Sequence, residues 1–478
     1  MTGGVLLANA TGSISNLISI TGSGTIAATS SATLTIGGNI TGDAPTVGAS
    51  GYTGTVVFGN SLLSSAFNAT SLKPLIVSYG TLKFTGSNNL YQQGGTGTNP
   101  YIQVDNGGTM DMAGTSNNYG VATITLNNGT LTNSTSDSTG PATTVKIVLG
   151  SLGGVISTAS TTTLTVNGEI SGTGSLTIGS AGKTGTVLLS GANTYSSGAT
   201  TISAGTLKLG AAGVITDSSA LTITGTLDLN GYSETVGSIA GAGTITSSSS
   251  GTLTLTAGSN NSSTTFSGII QNGSATSVAL TKQGTGTLTL SGANTYSGGT
   301  TISNGVVKAG IAPVGSITSG AFGTGSVTVS SGGAIDLNTY TVPNLLSLSG
   351  TGYSSSGALY NSHASTGATA SGNITLAADT TIKNSGSGTL VLSGTINGAQ
   401  ALTITNTGSV TLNGIVGGTS LNSLSISGPS TLGADVTTSG TQTYSGAVTV
   451  TGTGTRTLTG TTVTNSSTLN GEIGRAHV

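Results

Sequence analysis

Acidic side chains are the first candidates for catalysis in this sequence, because two carboxyl groups about 5–10 Å apart can cleave a glycosidic bond. The closest pairs along the chain are Asp105 with Asp111 and Asp228 with Glu234. We interpret each as a solvated residue of a turn or strand face and predict no catalytic residue. A polysaccharide-active enzyme whose scattered acids converge through folding is the alternative. The acids occur singly along the chain: Asp43, Asp105, Asp111, Asp137, Glu169, Asp217, Asp228, Glu234, Asp336, Asp379 and Asp435.

Other catalytic chemistries lack their usual sets of residues. His363 lies in a loop-like stretch and could act as a base or as a metal ligand. A zinc site needs several ligands, however, and the chain has no cysteine to share a metal with His363. A Ser-His-Asp triad would depend on His363 alone, and no Gly-x-Ser-x-Gly elbow with a following helix is present. The glycine-rich string at residues 94–97 lacks the lysine and helix of a phosphate loop. We therefore predict no catalytic, cofactor-binding or metal-binding residue, and no cofactor.

Two recurrent patterns could form binding surfaces. Tyr195 and Tyr296 occupy equivalent places in a repeated segment, which predicts a role in packing or corner capping; a carbohydrate platform is the alternative. Thr-x-Thr segments recur often, and regular rows of threonine on a flat face of a β-solenoid can match the spacing of the ice lattice. Such a face requires the pairs in register over successive coils, whereas their spacing in the sequence is irregular. We do not expect ice binding.

Composition indicates which elements position these residues. The 478 residues include only 5% charged side chains, against roughly 25% in an ordinary soluble domain, together with 81 glycines. The absence of cysteine excludes disulfides, thiolate metal sites and a cysteine nucleophile. The net charge of −2 gives no electrostatic footprint for nucleic acid or an anionic membrane. No run of about 18 apolar residues is long enough for a transmembrane helix. This composition favours an elongated array of β-rich repeats.

Alternating apolar and polar residues recur from end to end and predict half-buried strands. The aliphatic side chains point to one face and the Thr and Ser hydroxyls to the other. No segment has a sustained 3.6-residue period, so we predict an all-β chain. Clear examples are residues 33–36, 123–126, 163–166, 253–256, 287–290 and 402–405.

Short Asn-Gly pairs separate the predicted strands, because both residues tolerate the left-handed backbone of a sharp corner. Taken alone, Asn-Gly between strands suggests antiparallel hairpins. Strands of three to five residues flanked by Gly and Ser favour the sides of a coiled solenoid instead. The pairs begin at Asn128, Asn167, Asn230, Asn304, Asn397 and Asn413.

An internal repeat supports the solenoid. The string Leu-Ser-Gly-Ala-Asn-Thr-Tyr-Ser occurs at residues 189–196 and again at 290–297. Further along, Leu207-Lys208-Leu209 corresponds to Val307-Lys308-Ala309, and the alternation predicts that both lysine stems lie on the solvated face. Self-similarity of this kind is typical of stacked repeat architectures.

Residues 287–303 and 187–210 resemble the autotransporter-associated β-strand repeat, also called the passenger-associated transport repeat. With its flanking segments the resemblance extends over about residues 183–337. It implies a right-handed parallel β-helix, in a single elongated array, within the passenger region of a secreted or surface-displayed protein. In that family a C-terminal β-barrel normally anchors the passenger in the outer membrane.

From this resemblance we predict three solenoid regions. Residues 1–182 contain degenerate repeats, residues 183–337 contain the recognisable repeats, and residues 338–470 contain adhesin-like repeats. The final string Glu-Ile-Gly-Arg-Ala-His-Val looks like a translated sequencing-adapter oligonucleotide. We therefore expect residues 471–478 to be non-native and the chain to be a fragment, so that Arg475 and His477 carry no functional weight.

The functional prediction is a non-catalytic, extracellular or cell-surface stalk or adhesin. Its expected partner is an unidentified carbohydrate or protein receptor, with no nucleic acid and no direct membrane insertion. End-to-end self-association is a further expectation, since the uncapped ends of a solenoid expose strand edges.

Overall fold

The computed structural model describes residues 1, 3–59, 74–85, 101–113, 123–135, 142–196, 198–313, 319–452 and 454–471. Within these ranges the chain is all-β, as predicted, and the only helical element is one 3-10 turn, Tyr353–Ser355. None of these residues belongs to a helix with the length and apolarity needed to cross a membrane. Asp137, the glycine-rich string at 94–97 and residues 472–478 lie outside the described residues.

The chain forms two compact units, residues 1–234 and 235–478. The predicted divisions after residues 182, 337 and 470 stay predictions. The strands of unit 1 are β1 (Val5–Ala8), β2 (Gly12–Ile14), β3 (Ile18–Ile20), β4 (Thr25–Ala28), β5 (Thr33–Ile36), β6 (Ile40–Gly42), β7 (Thr46–Val47), β8 (Thr55–Phe58), β9 (Leu75–Ser78), β10 (Thr81–Phe84), β11 (Tyr101–Asp105), β12 (Thr109–Asp111), β13 (Thr123–Asn127), β14 (Gly129–Asn133), β15 (Ala142–Thr143), β16 (Lys146–Leu149), β17 (Gly154–Thr158), β18 (Thr163–Val166), β19 (Ile170–Gly172), β20 (Leu176–Ile178), β21 (Thr186–Leu189), β22 (Thr200–Ile202), β23 (Thr206–Leu209), β24 (Ala220–Ile223) and β25 (Thr226–Asp228).

Strand β26 (Glu234–Val236) includes the boundary between the units. The strands of unit 2 are β27 (Ser238–Gly241), β28 (Thr244–Thr246), β29 (Thr252–Ala257), β30 (Thr264–Phe266), β31 (Ile269–Ile270), β32 (Ser277–Lys282), β33 (Thr287–Leu290), β34 (Thr300–Ala309), β35 (Val327–Asp336), β36 (Thr341–Val342), β37 (Leu346–Gly350), β38 (Leu359–Asn361), β39 (Ala368–Ala370), β40 (Ile374–Asn384), β41 (Leu390–Leu392), β42 (Ile396–Asn397), β43 (Ala401–Asn406), β44 (Val410–Leu412), β45 (Val416–Leu421), β46 (Ser423–Ile426), β47 (Ser430–Leu432), β48 (Val436–Thr438), β49 (Thr441–Tyr444), β50 (Val448–Val450), β51 (Leu458–Thr459), β52 (Thr462–Asn465) and β53 (Leu469–Asn470).

Strands pair in parallel with the strand one coil before and one coil after, which defines a parallel β-solenoid in each unit. In unit 1, Ile147 of β16 lies beside Ile124 of β13 and Ile170 of β19. In unit 2, Leu402 of β43 lies beside Leu424 of β46. Successive strands in such a stack are about 4.8 Å apart. The hairpin alternative is wrong, since antiparallel pairing in the described residues is confined to three isolated bridges: Ala49/Tyr52, Ser180/Lys183 and Asn294/Gly320.

The predicted alternation determines which side chains fill the interior. In β33, Leu288 and Leu290 are buried, whereas Thr287 and Thr289 are partly exposed. The same inward rows of Leu, Ile and Val run through both units. Burial of this apolar surface supplies the main stabilisation, at roughly 25 cal/mol per Å².

Some of the predicted Asn-Gly corners use a left-handed backbone. Asn230 has a φ of 46° and Gly231 a φ of 85°, as predicted, whereas neither residue of Asn167-Gly168 or Asn413-Gly414 has a positive φ. Asn304-Gly305 differs, because β34 continues through it with a shift in register between Ile302 and Asn304. Corners of different length absorb insertions while the strands keep their inward faces.

Candidate functional site: the two repeats and the outer faces

The asparagine of each repeated string joins neighbouring coils through its side-chain amide. Asn193 accepts a hydrogen bond from the Ile170 N–H at 2.8 Å and donates one to the Val214 carbonyl at 2.7 Å. Asn294 accepts from the Ile270 N–H at 2.8 Å and donates to the Ala321 carbonyl at 2.8 Å. Each buried amide therefore satisfies one backbone N–H of the preceding coil and one backbone carbonyl of the following coil.

A glycine two residues before each asparagine permits this close stacking. A Cβ atom at Gly191 would overlap the carbonyl oxygen of Gly168, and one at Gly292 would overlap that of Gly268. The sequence comparison found the repeated string but missed the role of its asparagine. The sequence feature that could have revealed this role is the asparagine that both copies keep between small residues.

Tyr195 and Tyr296 both lie in the interior, fully buried. The Tyr195 hydroxyl is 2.9 Å from the Thr200 hydroxyl, and the Tyr296 hydroxyl is 2.6 Å from the Thr300 hydroxyl. Burial raises the pKa of Tyr195 to about 12 and raises the pKa of Tyr296 as well. The predicted packing role is confirmed. The carbohydrate-platform alternative is wrong for these two residues, because no ring face is exposed.

Three corners on the outside of the units share one lysine–aspartate arrangement. A lysine on one strand pairs with the aspartate beside it on the next coil, and the nitrogen–oxygen distances are 3.5–3.7 Å. As predicted, the stems of Lys208 and Lys308 lie on the outer face, about 30% exposed. The pairs are Lys83–Asp111, Lys208–Asp228 and Lys308–Asp336.

The aspartates of these corners also bind backbone. In each case Oδ1 accepts the N–H of the residue two positions later, at 2.9–3.0 Å. That residue has a positive φ of 45–48°, so the carboxylate holds a left-handed turn in place. The acceptor–donor pairs are Asp111 with Ala113, Asp228 with Asn230, and Asp336 with Asn338.

The interpretation of the paired acids as solvated residues is wrong for Asp111, Asp228 and Glu234, and Asp336 is buried in the same way. Asp111, Asp228, Glu234 and Asp336 are all buried, with at most 6% exposure. The physical reason is that each has partners contributed by a neighbouring coil, which sequence spacing does not reveal. Glu234, for example, accepts the backbone N–H of Val214 at 3.2 Å. These contacts make the carboxylates structural supports of corners.

Glu169 takes part in an exposed network in unit 1. Its Oε1 accepts the Thr194 hydroxyl at 2.6 Å, and its Oε2 lies 3.0 Å from the Lys146 ammonium group. The Thr194 hydrogen bond, followed by Lys146, lowers the pKa of Glu169 below its ordinary value. The corresponding position of the second repeat is Ile269, which is 42% exposed.

Among the described residues, neither His363 nor the acids form a metal-binding cluster. The His363 Nδ1 atom accepts the N–H groups of Ser365 at 3.3 Å and Thr366 at 3.0 Å, so the imidazole stabilises its own turn. Across the described ranges, no group of three or more His, Asp or Glu side chains is placed to hold a metal ion. None of these observations favours the enzyme alternative.

Threonine hydroxyls form regular columns on the outer faces, which the irregular sequence spacing did not suggest. One column of unit 1 contains Thr33, Thr55, Thr81, Thr109 and Thr130. The column two residues further along contains Thr35, Val57, Lys83, Asp111 and Thr132. The paired array that ice binding requires is therefore interrupted here, and the columns form a polar, hydrogen-bonding exterior.

These features define a class: parallel β-solenoids in which a repeated string places a buried asparagine between neighbouring coils and a buried tyrosine in the interior. The chain matches the passenger-associated-transport-repeat family over residues 184–209 and 280–309, so it contains two of these repeats and the predicted resemblance is confirmed. It is 30% identical over 221 residues to the Adhesin BmaC autotransporter of Brucella suis biovar 1 (strain 1330). That alignment covers 44% of this chain and 6% of the relative's length. No solved structure matches the chain significantly.

Proposed function

We propose that this chain is part of the passenger region of an autotransporter-like protein, where it forms an extracellular stalk or adhesin on the bacterial surface. The observation that carries the proposal is the pair of passenger-associated-transport repeats, each with the same buried asparagine and tyrosine contacts. The similarity to part of an autotransporter adhesin supports it. The same proposal includes an unidentified receptor for the whole protein and its anchoring in the outer membrane.

The architecture suits such a role for physical reasons. Each coil contacts only its neighbours, so a solenoid can extend a binding surface away from its anchor. Its outer columns expose hydroxyl groups, which hydrogen-bond to water and to polar ligands. The buried aspartates Asp111, Asp228 and Asp336 accept backbone N–H groups of corners, which gives them a structural role. The expected receptor is a protein or a carbohydrate.

Surface display can be tested in the bacterium that carries the gene, using antibodies raised against residues 1–471. We expect the antibodies to label intact cells, and proteinase treatment of intact cells to remove the label. Labelling that appears only after permeabilisation would contradict the proposal. An antibody against a cytoplasmic protein of the same cells is the matched control for cell integrity.

Adhesion and catalysis can be separated with the purified chain. Beads coated with the folded chain should bind host cells or glycans, and beads coated with the heat-unfolded chain should not. Pectin-type polysaccharides incubated with the chain should release no new reducing ends and no unsaturated products. Turnover without adhesion would instead favour the polysaccharide-active enzyme.

A further inference from the structure

Lys282 is a lysine in the interior of unit 2. It ends β32, where the alternation places Val278, Leu280 and Lys282 on the inward face. Its residue exposure is 1%. It lies between Ala257 of the preceding coil and Ile302 of the following coil, both buried. A long cationic side chain therefore occupies a position that the solenoid otherwise fills with aliphatic groups.

The amine of Lys282 is held by backbone oxygens. Its Nζ donates to the carbonyls of Gln283 at 2.5 Å, Gly284 at 2.8 Å and Asn304 at 3.4 Å. These three acceptors match the three N–H donors of an ammonium group. Among the described residues, no carboxylate lies within ion-pair distance of it.

Apart from Lys282 itself, none of the described residues that line the space beside it has a titratable side chain. The space beside it is lined by Ser238, Ile239, Ala257, Ser262, Thr264 and Leu288. On β34, which packs against β32, Lys308 lies on the outer face and pairs with Asp336. The charge of Lys282 is thus compensated only by carbonyl dipoles, and burying an ion without a counter-charge is costly.

The first repeat provides an internal reference for this position. Leu176 of β20 lies beside Thr200, and Leu280 of β32 lies beside Thr300. Thr200 and Thr300 are equivalent because each contacts the buried tyrosine of its repeat. Two residues after these leucines come Ile178, fully buried, and Lys282. The fold therefore accepts an aliphatic residue at this position.

We propose that Lys282 makes the second repeat a pH-responsive opening point of unit 2, in which the charge on one buried amine determines how often β32 and β34 separate. This role goes beyond display and adhesion, because it concerns local stability of the solenoid. The first repeat has no such charge at Ile178 and stays closed over the same pH range.

The direction of the pH dependence follows from burial. Desolvation lowers the pKa of Lys282 in the folded chain to about 8, from an ordinary value of 10.5. The unfolded segment binds more protons than the folded one between these values, so stability rises with pH there. The cost of the buried charge is complete below pH 8 and is relieved as the pH rises above 8.

Hydrogen exchange of the whole chain, followed by mass spectrometry at pH 7 and pH 9, tests this proposal. Rates are corrected for intrinsic exchange, and peptides covering Ser277–Lys282 and Thr300–Ala309 are compared. In the wild type we expect protection of these peptides to rise with pH, by up to about tenfold for one pKa unit of linkage. Peptides covering Leu176–Ile178 should change much less.

Two uncharged variants separate charge from packing. Lys282→Met keeps the length of the side chain, and Lys282→Gln keeps a neutral donor for the carbonyls. We expect both to remove the pH dependence, whatever their absolute protection. The reciprocal change Ile178→Lys should introduce the same dependence around β20. Equal pH dependence in the wild type and in both variants would overturn the proposal. So would a wild type with no rise in protection, a result that needs no variant to fold.

Discussion

Asn193 in unit 1 and Asn294 in unit 2 form the same pair of hydrogen bonds, to an N–H of the coil before and a carbonyl of the coil after. The two repeats differ elsewhere. The interior position that is Ile178 in the first repeat is Lys282 in the second, and the exposed acid Glu169 of the first is replaced by Ile269. The asparagine that binds backbone groups of two other coils is the same in both copies. The interior residue Ile178 and the exposed residue Glu169, whose partners are side chains, have changed.

This difference indicates where the repeat is constrained. A side chain that satisfies backbone groups of two other coils has no substitute of a different type, because losing it leaves those buried groups unpaired. An inward aliphatic position tolerates a lysine when carbonyls are available to its amine. The comparison can be tested from the largest expected effect to the smallest.

The largest effect is expected at the bridging asparagines. Asn193→Leu and Asn294→Leu should each lower the free energy of unfolding by about 3 kcal/mol, because each change leaves one buried N–H and one buried carbonyl unpaired. Urea denaturation followed by circular dichroism measures the loss. Asn422→Leu, at an exposed position, is the control and should be nearly neutral. A large loss in only one repeat would break the equivalence of the two copies.

The corner aspartates should follow. Asp228→Asn and Asp336→Asn keep the size of the side chain but remove its charge, and we expect each to cost about 2 kcal/mol, typical of hydrogen bonds to charged groups. Hydrogen exchange of the corners after β25 and β35 would locate the effect. If the substitutions were silent while the asparagine variants were not, these corners would be held by backbone geometry alone.

A smaller loss is expected for the buried tyrosines. Tyr195→Phe removes contacts to the Thr200 hydroxyl and to the Thr216 backbone, whereas Tyr296→Phe removes the contact to Thr300. We expect about 1 kcal/mol for each hydrogen bond lost, and therefore the greater loss in the first repeat. Thermal unfolding of the two variants at one pH gives the comparison, and the reverse order would contradict it.

The smallest effect is expected at the surface. The pKa of Glu169 is lowered by the Thr194 hydrogen bond and by Lys146, so its contribution is present above its unfolded pKa, near 4.5, and is lost as the pH falls through the folded value. Glu169→Gln should slightly reduce the melting temperature at pH 6, and this reduction should become smaller as the pH falls below 4.5. A reduction that does not change with pH would show that charge is not its cause.

Much of the fold follows from local sequence. The alternation in residues 287–290 determines which side chains point inward, and the structure confirms it with Leu288 and Leu290 buried. The same rule gives the outward stems of Lys208 and Lys308. Parallel pairing is also predictable from the sequence. The strands are short and flanked by Gly and Ser, and the internal repeat is typical of stacked coils and not of hairpins.

The partners across coils could not be predicted, because corners differ in length. Lys83 pairs with an aspartate 28 residues later and Lys208 with one 20 residues later, so no fixed spacing identifies such pairs. The inward position of Lys282 could have been predicted from the sequence, because Lys282 continues the alternation in which Val278 and Leu280 are buried. Its significance depends on the backbone carbonyls of Gln283, Gly284 and Asn304, which only the fold brings to its amine.

The threonine columns have a consequence for the environments that the protein can occupy. Dissolved salt weakens interactions between exposed charges beyond about 8–10 Å, but it hardly affects the hydration of hydroxyl groups. With 10 basic and 12 acidic residues in 478, this exterior depends little on electrostatics. We therefore expect the rigidity and solubility of the chain to be similar at low and high concentrations of salt.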